Sequence, residues 1–481
     1  MKHILLILLV ASVQLGAFAQ DSLTLARCRS MALQHNRRLA SAKVQREKAA
    51  HELLAAKANF LPKFDLNAIG AVSNLSGTIG LPSNPLPIYS FNAATGGYVP
   101  LLLTDGGGNV VGLSQYAEFP AMSVKYDVHK MFNASMSVVQ PIYMGGKITA
   151  GCDMAQIAGK MADENMRLAE SEVRVAVDEA YALALKAREM VAVAKSYETS
   201  LVELRRIVES AVRNGVRTRN DLMKVEVNLS RARLSITRAE NASGLALMNL
   251  CRLVGLPLDA QPLLATPDLS RLEAMDISTL SVDSLQVLSR PEYSMMKNNV
   301  ELARRKLTVA RSEFLPSVAA FASGGYTNGG KMTIEATGSL YGTQRIYDNP
   351  LAESFSAGVG VTLSMPLFHF GERRGKIRSA KTSVLMAEID LADSREKMTL
   401  ELFGAYNTLK EQVEAVAIAQ RSVEQAEENL RLSQSAFKSG VETLSDHLEA
   451  RALWQSAHAD EIDARAQLLV AQSKYLKAAG F

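Results

Sequence analysis

The chain has 481 residues, 48% of them hydrophobic and 21% charged, and a formal net charge of +4. So small and so evenly spread a charge argues against a nucleic-acid partner, and Cys28, Cys152 and Cys251 are too widely spaced for a disulfide framework or a metal cluster. Beyond the N-terminus no stretch reaches 18 uninterrupted apolar residues, which excludes transmembrane helices.

In chain order, residues 1–19 read as a signal peptide. Lys2 and His3 precede an apolar run from Ile4 to Val10, and Ala17-Phe18-Ala19 offers the small-x-small cleavage pattern. No Cys follows that point directly, so a lipid anchor is not expected. A helix of about 25–30 residues then leads to Phe60-Leu61-Pro62. A strand over about 64–73 leaves it. A Gly-, Pro- and Asn-rich loop over about 75–120 reads as an exposed hairpin tip, and a second strand returns over about 132–142. A long helix is expected over 147–213, then a sharp turn and a shorter helix over 218–253. After a proline-containing linker, 259–282, the order recurs: a helix to Phe314-Leu315-Pro316, strands over 317–326 and 355–366, a long helix over 372–438, and a helix over 443–478. All 14 prolines lie outside 142–256 and 367–481, as uninterrupted helices require.

The clearest strand is Phe355–Met365. Phe355, Ala357, Val359, Val361, Leu363 and Met365 alternate with Ser356, Gly358, Gly360, Thr362 and Ser364. That period of two predicts one face toward lipid and one toward a lumen. The following helix, about 67 residues, would be about 100 Å long at 1.5 Å per residue.

The second half copies the first. Pro141, Gly146, Tyr181, Gly215, Val216, Thr218, Asp221 and Gly255 recur 225 residues later as Pro366, Gly371, Tyr406, Gly440, Val441, Thr443, Asp446 and Gly480. Phe60-Leu61-Pro62 recurs at an offset of 254, the excess lying in the first loop. Two structural repeats are expected, 20–258 and 283–481. Four strands cannot close a membrane barrel, and open edges are not tolerated in lipid, so several copies must pool their strands.

This ordered set resembles the TolC-like outer-membrane efflux proteins over nearly the whole mature length. The resemblance rests on the duplicated element order and on the Leu-Pro before each first strand. It rests also on Pro141-Ile142-Tyr143 with Gly145-Gly146, on Pro366-Leu367-Phe368 with Gly371, and on the two Gly-Val hairpins. It implies a mainly α protein with membrane β: a homotrimer with a twelve-stranded outer-membrane β-barrel continued by a long α-helical barrel. Such proteins are exit ducts for an inner-membrane transporter (of RND, ABC or MFS type) and a periplasmic adaptor. No nucleophile–base pair, phosphate loop or metal motif suggests an enzyme, and no cofactor is implied. The alternative is a periplasmic coiled-coil scaffold or adaptor, which explains the helices but not the alternating strands.

In the two hairpins, Gly215 and Gly440 suit the left-handed residue that ends a helix. Thr218 with Asp221, and Thr443 with Asp446, have capping-box spacing. That chemistry explains a well-made turn by itself. The resemblance adds an adaptor-docking tip at Gly215, Val216, Gly440 and Val441. It also implies a pore entrance or gate at Asp221, Asp446, Glu449 and Phe437. Asp446 and Glu449 lie three apart on one helix face, at the position of the family's acidic entrance pair, and Asp221 matches its latch aspartate. Phe437 and Glu442 depart from the tyrosine and arginine of the family's type member, so the closed state must rest on other contacts. Tyr143, Phe368 and Phe370 stand where strands become helices, as an interfacial aromatic belt or as packing at that junction.

Overall fold

The computed structural model describes residues 23–265, 283, 285–338 and 342–481. The signal peptide and most of the linker lie outside them. The elements are α1 (Leu25–His35), α2 (Arg37–Ala58), β1 (Lys63–Leu81), six short strands β2 to β7 between Asn84 and Phe119, β8 (Ala121–Met144), α3 (Lys147–Arg213), α4 (Arg219–Val254), α5 (Pro291–Ser312), β9 (Ser317–Gly338), β10 (Gly342–Ser364), α6 (Glu372–Lys438) and α7 (Leu444–Ala478). They fall into two compact units, one of Lys57–Thr149 with Arg311–Arg373 and one of the remainder.

The first unit is a four-stranded antiparallel sheet in the order β1-β8-β9-β10. Its strands run 19 to 24 residues, about twice the expected length. The β1–β8 ladder extends to Leu81 opposite Met122, so the predicted loop begins at 82 rather than 75. Inside that loop β2 (Asn84–Pro87) pairs with β7 (Tyr116–Phe119), β3 (Tyr89–Asn92) with β4 (Gly97–Pro100), and β5 (Leu102–Thr104) with β6 (Val110–Leu113). β9 likewise runs through Thr327-Asn328-Gly329-Gly330, which reads as a turn. Glycine is there for contact reasons: a Cβ on Gly329 would stand 2.9 Å from the Met131 Cα.

The second unit is helical. α3 and α6 span 67 residues each, as expected. The predicted first helix is two, broken at Asn36. Its backbone is extended (ψ 129°), its carbonyl oxygen Oδ1 caps the Arg38 N–H at 2.9 Å, and its Nδ2 donates to the Leu253 carbonyl at 3.2 Å. The start of α2 thus abuts the end of α4. The end of α7 meets the start of α5 at the corresponding place, where Gly480 packs on Ser289 and Arg290. One core joins Val177, Tyr181 and Leu185 of α3 to Cys28 and Ala32 of α1, Leu250 and Val254 of α4, and Ile462 and Leu469 of α7. A second joins Leu201, Leu204 and Val208 of α3 to Val225 and Leu229 of α4, Phe437 of α6 and Leu444 of α7. α6 is less well covered: Leu385, Met386, Ile389, Leu400 and Ile418 are all more than half exposed.

Candidate functional site: two hairpins and a two-faced sheet

Both helical hairpins close the same way. The Val216 N–H bonds the Ala211 carbonyl at 2.9 Å and the Gly215 N–H bonds Val212 at 3.0 Å. Val441 and Gly440 repeat this on Ala436 and Phe437 at 3.0 and 3.2 Å. This is a Schellman ending, and it places Gly215 at φ +73° and Gly440 at φ +77°, where a Cβ is disfavoured. Val216 and Val441 are left 74% and 83% exposed, apolar groups held at each tip.

The next helices start on threonine caps. Thr218 and Asp221 make a reciprocal capping box: the Asp221 N–H donates to Thr218 Oγ1, and Asp221 Oδ2 accepts from the Thr218 N–H and hydroxyl. The Thr218 hydroxyl bond is the main cause holding the Asp221 carboxyl below its ordinary range. At α7 the Asp446 N–H donates to Thr443 Oγ1 at 3.3 Å, and the Thr443 hydroxyl donates to Asp446 Oδ2 at 2.7 Å. Asp446 and Glu449 are both exposed.

Phe437 lies inside the protomer, 8% exposed in the second core. Its ring stacks on the His447 imidazole, centroids 4.8 Å apart and 9° from parallel, and the Arg217 guanidinium lies 4.9 Å from its centroid. Glu442 accepts from Ser433 Oγ at 2.9 Å. His447, Ser433 and Arg451, all buried, escape a reading of turn chemistry. Their signal is the spacing Leu444, His447, Arg451, which puts two polar groups on the apolar stripe of α7.

The sheet separates two chemistries, because directly opposed residues share a face. Phe64, Leu66 and Ala68 oppose Val138, Met136 and Ala134. Val138, Met136 and Ala134 oppose Ala322, Gly324 and Tyr326 on β9. Ala322 opposes Val359, Gly324 opposes Ala357 and Tyr326 opposes Phe355 on β10. Leu66, Phe355 and Val359 are 78%, 76% and 86% exposed. The other face carries Asp65, Asn67, Ser135, Ser137, Ser323, Thr327, Ser354 and Ser356. A bulge between Val72 and Leu75 shifts β1 by one residue, which keeps Leu75, Ile79 and Leu81 in the apolar series. Farther along, the polar face holds Lys125 paired with Glu335 at 2.8 Å, and Lys331 and Arg345 paired with Asp348 at 2.9 and 3.0 Å. Phe368 and Phe370, just after β10, are 73% and 93% exposed and meet edge to face at 4.7 Å, outside the cores formed by the described residues.

Burial pushes the Cys28 thiol up to about 11, helped by the nearby Cys251 thiol. The fold therefore brings two of the three cysteines together, which their spacing did not suggest.

Among known proteins, the profile described as outer membrane efflux protein matches residues 28–256 and 284–480. The alkaline protease secretion protein AprF of Pseudomonas aeruginosa is 26% identical over 300 residues, 62% of this chain and 59% of that one. The outer membrane protein TolC of Escherichia coli is 20% identical over 221 residues, 44% of this chain and 43% of its own. The matches thus span less than two thirds of either relative. The Campylobacter jejuni CmeC outer membrane channel shares the fold, with a TM-score of 0.71 at 20% identity, covering 95% of this chain and 85% of that one. The chain belongs to the outer membrane efflux protein family, the TolC-like channels of the Gram-negative outer membrane.

Proposed function

We propose that three copies of this chain pool their sheets into a twelve-stranded barrel in the outer membrane and their helices into an α-helical barrel in the periplasm. The trimer is a passive exit duct. An inner-membrane transporter and a periplasmic adaptor deliver its substrates, which are drugs, toxic compounds or secreted proteins. The two halves of the chain, 20–258 and 283–481, are read as one structural unit used twice.

The observation that carries this reading is the open sheet. Among the described residues β1 and β10 each have one paired neighbour, so each leaves a row of backbone donors and acceptors without a strand partner. One sheet face is apolar and exposed over the length needed to cross a bilayer. Unpaired edges there cost several kcal/mol per group, and pairing β10 of one copy with β1 of the next removes them. The exposed apolar residues of α6 favour the same assembly. A periplasmic scaffold would use the helices but leave the apolar sheet face unexplained.

In this reading Asp221, Asp446, Glu449 and Phe437 belong to the periplasmic entrance, and Gly215, Val216, Gly440 and Val441 to the adaptor-docking tip. The test is mass measurement in mild detergent with planar-bilayer conductance. A trimer with stable conductance is expected; a monodisperse monomer, or a protein released from membranes by carbonate, would sink the proposal.

A further inference from the structure

The hydrogen bonds behind the second hairpin run in one direction. Arg451 Nε can only donate, and it lies 2.9 Å from His447 Nε2. That nitrogen is therefore the acceptor, and the proton of the neutral ring sits on Nδ1. Nδ1 donates to Ser433 Oγ at 2.9 Å, and the Ser433 hydroxyl donates on to Glu442 Oε1 at 2.9 Å. His447 is 1% exposed, and Arg451 and Ser433 are 6% exposed. The chain of donors spans the end of α6, the turn and the start of α7. It is complete only while His447 is neutral.

A second proton on His447 has to go to Nε2, which faces a permanent donor. The bond to Arg451 then becomes a contact between two cations in a dry site. The surrounding charges do not relieve it. Glu442 lies beyond Ser433, on the opposite edge of the ring. Arg451 also interacts with Tyr197 and Glu203 of α3, so Glu203 balances the guanidinium already present. Arg217, from the first turn, is a further cation on the Phe437 ring that His447 stacks against. From α4, Lys224 reaches Ser445 at 3.5 Å. Asp446, next to His447, is engaged by its cap.

We propose that Ser433, Glu442, His447 and Arg451 form a proton-sensitive joint, which locks the α6–α7 hairpin while His447 is neutral and releases it when the periplasmic side is acidified. The regulatory role rests on the reading of this hairpin as the channel entrance; the joint itself does not. Burial first, and Arg451 second, push the imidazole down to about 4. The folded form thus binds fewer protons than the unfolded form between pH 6.5 and about 4. The stability of the hairpin falls as pH falls through that window.

Trp454, the sole tryptophan, packs against the same core and reports on it. In the detergent-solubilised full-length protein its emission should change with a midpoint near pH 4. His447→Gln, which keeps a donor and an acceptor but cannot titrate, should abolish the change. Arg451→Gln should move the midpoint upward by up to about one pH unit, because the opposing cation is gone while the burial stays. His458, edge to face with Trp454 at 4.6 Å, is the competing reporter; His458→Gln should leave the midpoint in place. A transition that survives His447→Gln, follows His458, or does not rise in Arg451→Gln overturns the joint. If His447→Gln does not assemble, the other two variants decide. Conductance of the same proteins separately tests the entrance: a flat pH response beside an intact fluorescence transition counts against the entrance reading and supports the joint.

Discussion

Arg29 of α1 grips Asp178 of α3 with two bonds of 2.7 Å, from Nε to Oδ1 and from Nη2 to Oδ2. Asp178 is 1% exposed and also accepts from Ser473 of α7 at 2.5 Å. One carboxylate in the wall of the long helix thereby ties the first helix to the last. Arg29→Met should destabilise the protein by about 3 kcal/mol, the low end for breaking a buried pair, because Arg29 itself is partly exposed. Replacing both residues by leucine should cost far less than Arg29→Met alone. Chemical denaturation of the detergent-solubilised protein measures both; equal losses in the single and double variants would show that the ion pair is not the source.

The sheet makes a directional prediction. Val359 and Thr362 lie on opposite faces of β10. If the apolar face meets lipid, Val359→Arg should cost about 2–4 kcal/mol near mid-bilayer, while Thr362→Arg falls on the polar face and should be tolerated. The readout is the fraction of heat-resistant oligomer in outer membranes. Similar loss in both variants would mean that the faces are misassigned.

Cys28 and Cys251 are fully buried, and both thiols are pushed up by burial. A maleimide at neutral pH should label Cys152 alone in the folded protein and all three after unfolding. Labelling of Cys28 in the folded protein, located by peptide mapping, would contradict the packing of α1 on α4.

Gly215→Val and Gly440→Val force a branched side chain into the left-handed region at φ +73° and +77°. Each should cost about 1–2 kcal/mol and, if these turns are the adaptor-docking tip, weaken crosslinking to the adaptor. Asn at either position should be milder. Unchanged crosslinking in the Val double variant would place the docking surface elsewhere.

These glycines were legible because a Schellman turn followed by a Thr-x-x-Asp cap is local chemistry. The 67-residue helices were legible for the same reason, being proline-free between glycine-marked ends. The strand ends were not. Gly329 and Gly330 look like a turn, yet they lie within β9: Met131 of β8 leaves no room for a side chain on Gly329, and Gly330 takes φ +70° where the β8–β9 register shifts between Asp127 and Met131. The break at Asn36 depends on the Leu253 carbonyl, 217 residues away. The buried polar groups at 433, 447 and 451 were missed because a histidine or arginine on a charged helix reads as solvated. Only the packing of α3 and α6 against α7 removes them from water.

The acidic pair on α7 separates capping from pore electrostatics. Asp446 caps the helix through Thr443, with a 2.7 Å bond from the hydroxyl and its own N–H on Thr443 Oγ1. Glu449 is exposed one turn on, where the cap does not need it. If these carboxylates line the entrance of a trimer, about six of them share one ring and focus the field for cations. Glu449→Gln should then lower cation selectivity and relieve block by multivalent cations without changing stability. Asp446→Asn should do the same and in addition cost up to about 1 kcal/mol of helix stability through the altered cap. The measurement is the reversal potential across a planar bilayer under a salt gradient, alongside denaturation of the same proteins. A Glu449→Gln channel with the parent's reversal potential and cation block would remove this residue from the pore. The loss of stability in Asp446→Asn would then be all that its position explains.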